Sequence, residues 1–415
     1  MTLIRPFAGL RPSPELAAQV AAPPYDVLNS DEARVRATGK PRSFLHVSKP
    51  EIDLPPGTDP YSAPVYAKAA ENLRRMLEDG ILKRAPAPCY CVYRLIRGNH
   101  SQTGLVALAS LADYDTNRIR RHELTRPDKE DDRVRHMEAL DAQTGPVMMA
   151  YPDAPEADHL LALACEAQPE SDLTADDGVR HSIWPIYDGA AIEQLTRVFE
   201  ALPALYIADG HHRTAAASRV AAARRAKNPQ HSGREGYNYF LSVTFPYRQM
   251  QILDYNRVVA DLNGLASEEF LARVARDFIV RHSDTPAKPA RPGEFGLYVD
   301  NHWYALTLKP GLLAASDPIA RLDVSVLSQY LLAPILGIGD LRSDKRIDFV
   351  GGIRGLSELK QRVDSGAMAA AFALFPTRIE DLMAAADAGQ IMPPKSTWFE
   401  PKLADGLVIH ELSSR

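Results

Sequence analysis

At 415 residues the chain is longer than one hydrophobic core usually organises, so more than one packed unit is expected. Its 45% hydrophobic and 24% charged residues are those of an ordinary globular protein, and a net charge of -5 gives no basic footprint for duplex DNA or an anionic lipid surface. The opening residues Met1-Thr-Leu-Ile-Arg-Pro-Phe-Ala-Gly-Leu-Arg-Pro12 lack the uninterrupted apolar core of a signal peptide, and no later stretch approaches the roughly 20 apolar residues that span a bilayer, so the cytoplasm is the expected compartment.

After Pro23-Pro24, residues 25–28 read as a short strand end, and Asn29 with Glu32 three positions on is a capping-box signature that predicts a helix. A longer helix is predicted over 66–77, with Tyr66, Ala70, Leu73 and Leu77 on one face and Gly80 just past its end. Residues 89–96 and 103–109, with Gly98-Asn99 between them, read as a β-hairpin. The three cysteines, Cys89, Cys91 and Cys165, are too few for a zinc tetrad and odd in number for a disulfide framework, and read as reduced structural thiols. Residues 120–140 are a charged loop feeding a helix with the apolar stripe Val134, Met137 and Leu140. A strand over 147–151 follows, then helices over 160–166 and 192–202, the second stopped by Pro203. A short buried strand over 205–208 leads into an alanine-rich helix over 213–227, whose last turn carries Arg224, Arg225 and Lys227 where cations suit the helix dipole.

A strand over 239–244 and a helix over 267–277 precede a proline-rich stretch ending at Pro292, the natural candidate for an internal boundary. Beyond it, strands are predicted at 295–299, 303–308, 349–350 and 371–375, and helices at 324–332 and 379–386. The expected fold class is α+β: a mixed sheet with flanking helices in a core region over 1–285, and a C-terminal α/β unit over 286–415 packed on it.

Two segments carry chemistry. In Asp209-Gly-His-His-Arg213 an apolar strand ends in a turn where Gly210 lets a ligand approach the backbone, a helix then presents unpaired N–H groups, and Arg213 can fork onto phosphate oxygens. Asp209 can hold a histidine tautomer or a metal ion, whereas the adjacent His211 and His212 cannot both face one point; one is expected at the ligand and the other in support of the turn. Read blandly, the same residues are an N-cap and a tight turn with surface histidines. The second segment is His122-Glu123 followed by Lys129 and Arg133: a glutamate ahead of a helix start can act as a general base, and the two cations, one turn apart, can aim at one place. Its bland reading is a solvated first turn favoured by the dipole. Asp26, in Pro23-Pro-Tyr-Asp26, and Lys395, in Pro393-Pro-Lys-Ser-Thr397, are weaker substrate-binding candidates on turns of the kind that line clefts.

Taken in this order, the two segments resemble the ParB/sulfiredoxin superfamily, and within it the free-serine kinases, in which a His-Glu glutamate activates the serine hydroxyl and an Asp-Gly-His-x-Arg turn holds nucleotide phosphates. The resemblance maps those roles onto Glu123 and onto Asp209 through Arg213. The whole chain is also similar to a widespread bacterial family known as a domain of unknown function, through Arg5-Pro-Phe7, Ala22-Pro-Pro-Tyr-Asp26, His122-Glu-Leu-Thr125, Ala208-Asp-Gly-His-His-Arg213 and Met392-Pro-Pro-Lys-Ser-Thr-Trp398. Sulfiredoxin chemistry is disfavoured because no cysteine stands in or near the phosphate turn, and DNA binding because no helix-turn-helix follows and the charge balance is acidic.

The resemblance implies a phosphotransferase that phosphorylates a small hydroxyl metabolite, free L-serine above all, from ATP or ADP. Glu123 is the expected base, with His122 and Asp209 beside it; Gly210, His211, His212 and Arg213 are the expected phosphate ligands, with Lys129 or Arg133 neutralising charge, and Mg²⁺ arriving with the nucleotide through Asp209. The expected partners are a nucleotide and a small molecule, with no nucleic acid and no membrane. Two other readings stay open: a metal-dependent hydrolase or phosphatase using His122, Glu123, Asp209 and one of His211 and His212, and a nucleotide-binding regulator without turnover.

Overall fold

The computed structural model describes residues 2–312 and 317–413, and the chain divides into two compact units, Met1–Met250 with Pro401–Arg415, and Gln251–Glu400. In the first unit, nine strands form a mixed sheet: β1 (Ile4–Arg5), β2 (Tyr90–Arg97), β3 (His100–Ser110), β4 (Ile119–Arg120), β5 (Val147–Tyr151), β6 (Ser171–Thr174), β7 (Arg180–Ile186), β8 (Leu205–Asp209) and β9 (Tyr239–Pro246). Their order is β4-β8-β5-β9-β3-β2-β7-β6, with β1 added alongside β3. The pairs β8–β4 and β9–β5 are parallel and the others antiparallel. Every residue of β5 and β9 is buried, as expected of strands covered on both faces; β5 is a continuous apolar run, and β9 is interrupted only by Ser242 and Thr244.

The predicted hairpin is present as β2 and β3, paired from Cys91↔Val106 to Arg97↔His100 around Gly98 at φ +55°. The predicted capping box is also present, since Asn29 accepts from the Glu32 amide at 2.9 Å and Glu32 accepts from the Asn29 amide at 2.9 Å, opening α1 (Ser30–Ala37). Further helices are α2 (Ala63–Glu78), α3 (Pro127–Leu140), α4 (Pro155–Ala164), α5 (Gly189–Glu200, capped by Asp188) and α6 (His211–Lys227). Residues 25–28 form turns and bends rather than the expected strand end. The helix expected over 160–166 starts earlier, on Pro155, which suits a first-turn position because its missing N–H is not needed there.

The C-terminal segment is stitched into this first unit. Asp405 exchanges backbone hydrogen bonds with Ala22 at 2.8 and 3.1 Å, and Leu10 does the same with Ile409. Gly406, at φ +87°, passes so close to Phe44 that a Cβ would meet its ring at 2.5 Å, so only glycine lets the segment lie there.

The second unit holds a six-stranded, wholly antiparallel sheet of β10 (Tyr255–Val259), β11 (Phe278–Ser283), β12 (Glu294–Val299), β13 (His302–Leu308), β14 (Ile347–Gly351) and β15 (Ala370–Leu374), in the order β11-β13-β12-β15-β10-β14. Helices α7 (Ser267–Val274), α8 (Gly355–Asp364) and α9 (Ile379–Asp387) accompany it. The proline-rich stretch before Pro292 joins β11 to β12 of this one sheet. Its Ala287 is buried, with the carbonyl laid over Gly296, so the prolines mark a packed connection and the division falls at Met250/Gln251. The helix predicted over 324–332 is a short α-helix, Asp323–Leu327, continued as a π-turn over Ser328–Leu332. Among the described residues no helix is long and apolar enough to cross a membrane.

Gly210 joins β8 to α6 at φ +106°, and a Cβ there would sit 3.2 Å from the Arg213 guanidinium carbon and 3.3 Å from the Val147 Cα. Gly210→Ala is therefore expected to destabilise the protein by about 1–3 kcal/mol, read as a lowered urea midpoint at unchanged slope.

Burial in the first unit pushes His122, His136, His181 and His410 each down to about 4. The unfolded chain takes up these protons near 6.5 while the folded chain refuses them, so stability is lost as pH falls from about 6.5 toward 4. His211 and His212, also pushed down by burial, act with these four; Asp405, lifted by burial to about 7, acts in the opposite sense, as do Glu411, raised by burial, and His46, raised by its hydrogen bond to Asp53, but they are outnumbered. Urea unfolding followed from about pH 7 to 5 should show stability dropping by at least about 1 kcal/mol per unit, and a flat profile would contradict the neutral-histidine assignment.

Candidate functional site

Strands β4 and β8 run side by side and in the same direction, Ile119 opposite Leu205 and Arg120 opposite Tyr206. The residues that come after them, His122-Glu123 and Asp209 through Arg213, therefore emerge at the same end of the sheet. A shift in the β8–β5 register between Ile207 and Asp209 turns the chain out of the sheet at this point.

The two segments are in contact. The rings of His122 and His211 stand edge to face with centroids 4.5 Å apart, and the His122 backbone N–H donates to His211 Nε2 at 3.4 Å. Glu123 Oε2 lies 3.9 Å from His211 Nδ1, and its side chain is 40% exposed, against 5% for His211. Burial holds His211 well below its ordinary value, with His122 adding to the effect, so its imidazole is neutral at pH 7. If Nε2 accepts from the His122 amide, the ring proton sits on Nδ1 and points toward Glu123. His122 is buried with neither ring nitrogen in a well-formed hydrogen bond.

Metal-ligating atoms of His122, Glu123 and His211 all lie within 4.8 Å of one another, a donor set of two imidazoles and a carboxylate. Binding a cation through His211 Nδ1 would require that ring to surrender its contact with the His122 amide. Asp209 fits a cation poorly. Burial alone would raise its carboxyl, but Lys402, 3.8 Å away, and Arg213, at 3.1 Å, hold it down at about 2, and both engage the same oxygen. A divalent ion at that oxygen would meet two positive charges, so the expected Mg²⁺ contact at Asp209 is not supported by the arrangement.

His212 faces elsewhere, accepting from the Arg126 backbone N–H at 3.0 Å and so pinning the loop that opens α3. The adjacent histidines thus turn to different partners, His211 to the His-Glu segment and His212 to the loop. Helix α6, 17 residues long, has no side-chain cap at Gly210, which leaves its first-turn amides open to an anion. Arg213 turns inward and is buried, donating to the Pro146 carbonyl as well as to Asp209.

Arg133 also lies inside. It donates to Asp132 Oδ2 at 2.6 and 2.9 Å, its guanidinium lies 3.8 Å from the Tyr25 ring centroid, and Tyr66 donates to the other Asp132 oxygen at 2.9 Å. Lys129 does not join it: Lys129 donates to the Tyr61 hydroxyl at 2.6 Å, so the two cations one turn apart find different partners. Asp26 is exposed, and its charge is felt by Arg213, His212 and Asp405. Lys395 belongs to the second unit, where it adopts φ +60°, its carbonyl accepts from Arg257 at 2.9 Å and its ammonium lies 5.7 Å from the Tyr255 ring centroid.

Three groups of this site were missed in the sequence. Tyr25 stands beside the candidate Asp26 but has no signal of its own for stacking on an arginine. Lys402 and Asp405 come from the returning C-terminal segment, where nothing in the local pattern of Pro401-Lys-Leu-Ala-Asp-Gly406 points to a partner some 190 positions earlier.

Solved structures that resemble the chain include a free serine kinase in complex with AMP, 13% identical, covering 71% of this chain and 86% of that one with a TM-score of 0.37. They also include a conserved hypothetical protein from Pyrococcus furiosus, 14% identical over 74% and 95% of the two chains with a TM-score of 0.34. A third is SbnI with a C-terminal truncation from Staphylococcus aureus, 11% identical over 73% and 86% with a TM-score of 0.37. At this distance they carry no functional argument, and no curated protein matches the chain. A family profile described as "Protein of unknown function (DUF1015)" matches residues 4–325, well over half of the sequence, and the chain belongs to that family.

Proposed function

We propose that the protein transfers a phosphoryl group from a nucleotide, ATP or ADP, to the hydroxyl of a small metabolite, with free L-serine the first candidate from the sequence resemblance. The observation that carries this reading is the meeting of the two segments: the half-exposed carboxylate of Glu123 stands beside a neutral His211, next to the uncapped N-terminus of α6. An anion at that terminus is favoured by the open amides and the helix dipole, and Arg213 adds charge beneath it. In the transfer, Glu123 takes the proton of the acceptor hydroxyl, a bond forms from that oxygen to phosphorus, and the bond from phosphorus to the departing nucleotide oxygen breaks. His211 Nδ1–H steadies the base without competing for the proton, because burial keeps the ring neutral. Mg²⁺ enters as part of the nucleotide substrate, and Lys402 with Arg213 keeps Asp209 ionised beside the turn.

The closeness of His122, Glu123 and His211 favours a second reading, a metal-dependent hydrolase. Elemental analysis separates the two: about one tightly held transition metal per chain after dialysis against a chelator supports the hydrolase, and activity restored by Mg²⁺ alone supports the transferase. A chromatographic screen of ATP or ADP with Mg²⁺ against free amino acids and small alcohols identifies the acceptor. Nucleotide binding with no product across that screen would favour a regulator.

Glu123→Gln keeps the size of the side chain but cannot take a proton near neutral pH. It is expected to lower turnover by roughly 10²–10⁴-fold while leaving nucleotide affinity and melting temperature nearly unchanged. Full activity in this variant would remove Glu123 from the mechanism.

A further inference from the structure

Behind the turn, Tyr25, Arg133, Thr144, Gly145, Arg213 and Asp405 line a cavity of about 20 Å³. That is room for one small polar group rather than a whole metabolite. Its walls are unusual for a space of this size. Both guanidinium groups and the Asp405 carboxyl are buried, and two polar atoms among them, Asp405 Oδ1 and Arg213 Nε, have no hydrogen-bond partner. A buried donor and a buried acceptor left unmatched each cost about 1–3 kcal/mol, so residues that line one cavity and keep both are suited to a group that matches them.

The charges say what that is. Arg133 is balanced by Asp132, and Arg213 by Asp209, which also feels Lys402. Asp405 has no cation of its own. It faces Arg213, Arg133, the exposed Asp26 and the Tyr25 backbone amide, while His136 in the same wall and His212 on α6 are held neutral by burial. We propose that the cavity is an acid-group subsite, in which Arg133 and Arg213 hold one carboxylate or phosphate group of a ligand and Asp405 takes up a proton as that group enters. Two guanidiniums with a hydroxyl beside them are donors suited to the oxygens of such a group. An incoming anion and an ionised Asp405 would repel each other across a water-poor space, whereas a protonated Asp405 becomes a further donor. Burial has already lifted this carboxyl to about 7, so the proton costs little near neutral pH. The inference deepens the transferase reading by placing an acid group of one substrate in the cavity, but its test reads binding alone and so fails or stands separately from turnover.

Acetate and sulfate, whose charges do not change between about pH 6 and 9, are titrated calorimetrically into the full chain. Affinity is expected to be flat below about pH 7 and to fall toward about tenfold per unit above it, with an enthalpy that varies with the buffer's ionisation heat because a proton is taken up. Binding of acetate alone identifies a carboxylate as the natural occupant, and of sulfate alone a phosphate. Asp405→Asn retains the backbone bonds to Ala22 and imitates the protonated acid, so its affinity should be close to the wild-type value at low pH and should no longer vary with pH. If that variant does not fold, the buffer dependence of the wild-type enthalpy decides the coupling. Arg133→Lys should weaken both anions by about tenfold or more. Binding of neither anion, binding without proton uptake, or unchanged binding in Arg133→Lys would each overturn the proposal.

Discussion

The burial of two guanidinium groups, Arg133 and Arg213, is the constraint around which the first unit is arranged. A charge taken out of water without partners costs several kcal/mol, and arginine cannot escape that cost by losing its proton. Its partners must therefore be brought to it, and they come from all along the chain: Tyr25 from the N-terminal turn, Asp132 beside Arg133 on α3 and itself held by Tyr66 from α2, the Pro146 carbonyl ahead of β5, and Asp209 from the end of β8. The C-terminal segment, tied to Ala22 by backbone hydrogen bonds, then brings the Asp405 carboxyl toward both guanidiniums and sets Lys402 against Asp209. One electrostatic requirement thus binds segments that no continuous element joins.

The local signals in the sequence were legible where one element suffices to satisfy them. The Asn29–Glu32 capping box, the Gly98-Asn99 hairpin and the strand, glycine and helix sequence around Gly210 are each complete within a few residues, and each is present. Signals diluted by polar residues were lost. Ser171–Thr174 and Arg180–Ile186 form strands at the far edge of the sheet although the first is polar at three of its four positions and the second contains Pro185, which lies past the last residue paired with β6. Proline in the connection before Pro292 was over-read as a boundary, because composition marks a turn but cannot say whether the turn is packed. The meeting of the His-Glu and Asp-Gly-His-His-Arg segments was implied by the resemblance they carry together, whereas Lys402 and Asp405 were not legible, because their role exists only once a distant segment returns.

The histidines carry the argument between base chemistry and metal chemistry. A metal needs lone pairs aimed at one point, and His122 with its enclosed ring nitrogens comes close to supplying one. His211 is the harder case, since the amide of His122 occupies its other nitrogen and favours a proton on the side facing Glu123. The same pair of distances thus reads as a donor set if that contact is broken and as an oriented base if it is kept. The contact is long at 3.4 Å, which is why elemental analysis is the decisive measurement.

The titration order of the site follows from these placements. Asp209, held by Lys402 and Arg213 against its burial, stays ionised down to about 2, and His122, deprived of water, stays neutral down to about 4. Asp405, buried without a cation of its own, is lifted to about 7. At neutral pH the first two are therefore fixed in charge, and of these three groups only Asp405 can answer a ligand by changing its protonation. On the proposed reading, the fixed charges would preorganise a phosphate turn without reorganising during a reaction, and the group poised near neutrality would adjust the cavity behind it to the charge that arrives. A single side chain, Arg213, stands between the two carboxyls: its guanidinium contacts that of Asp209, and the residue lines the cavity together with Asp405.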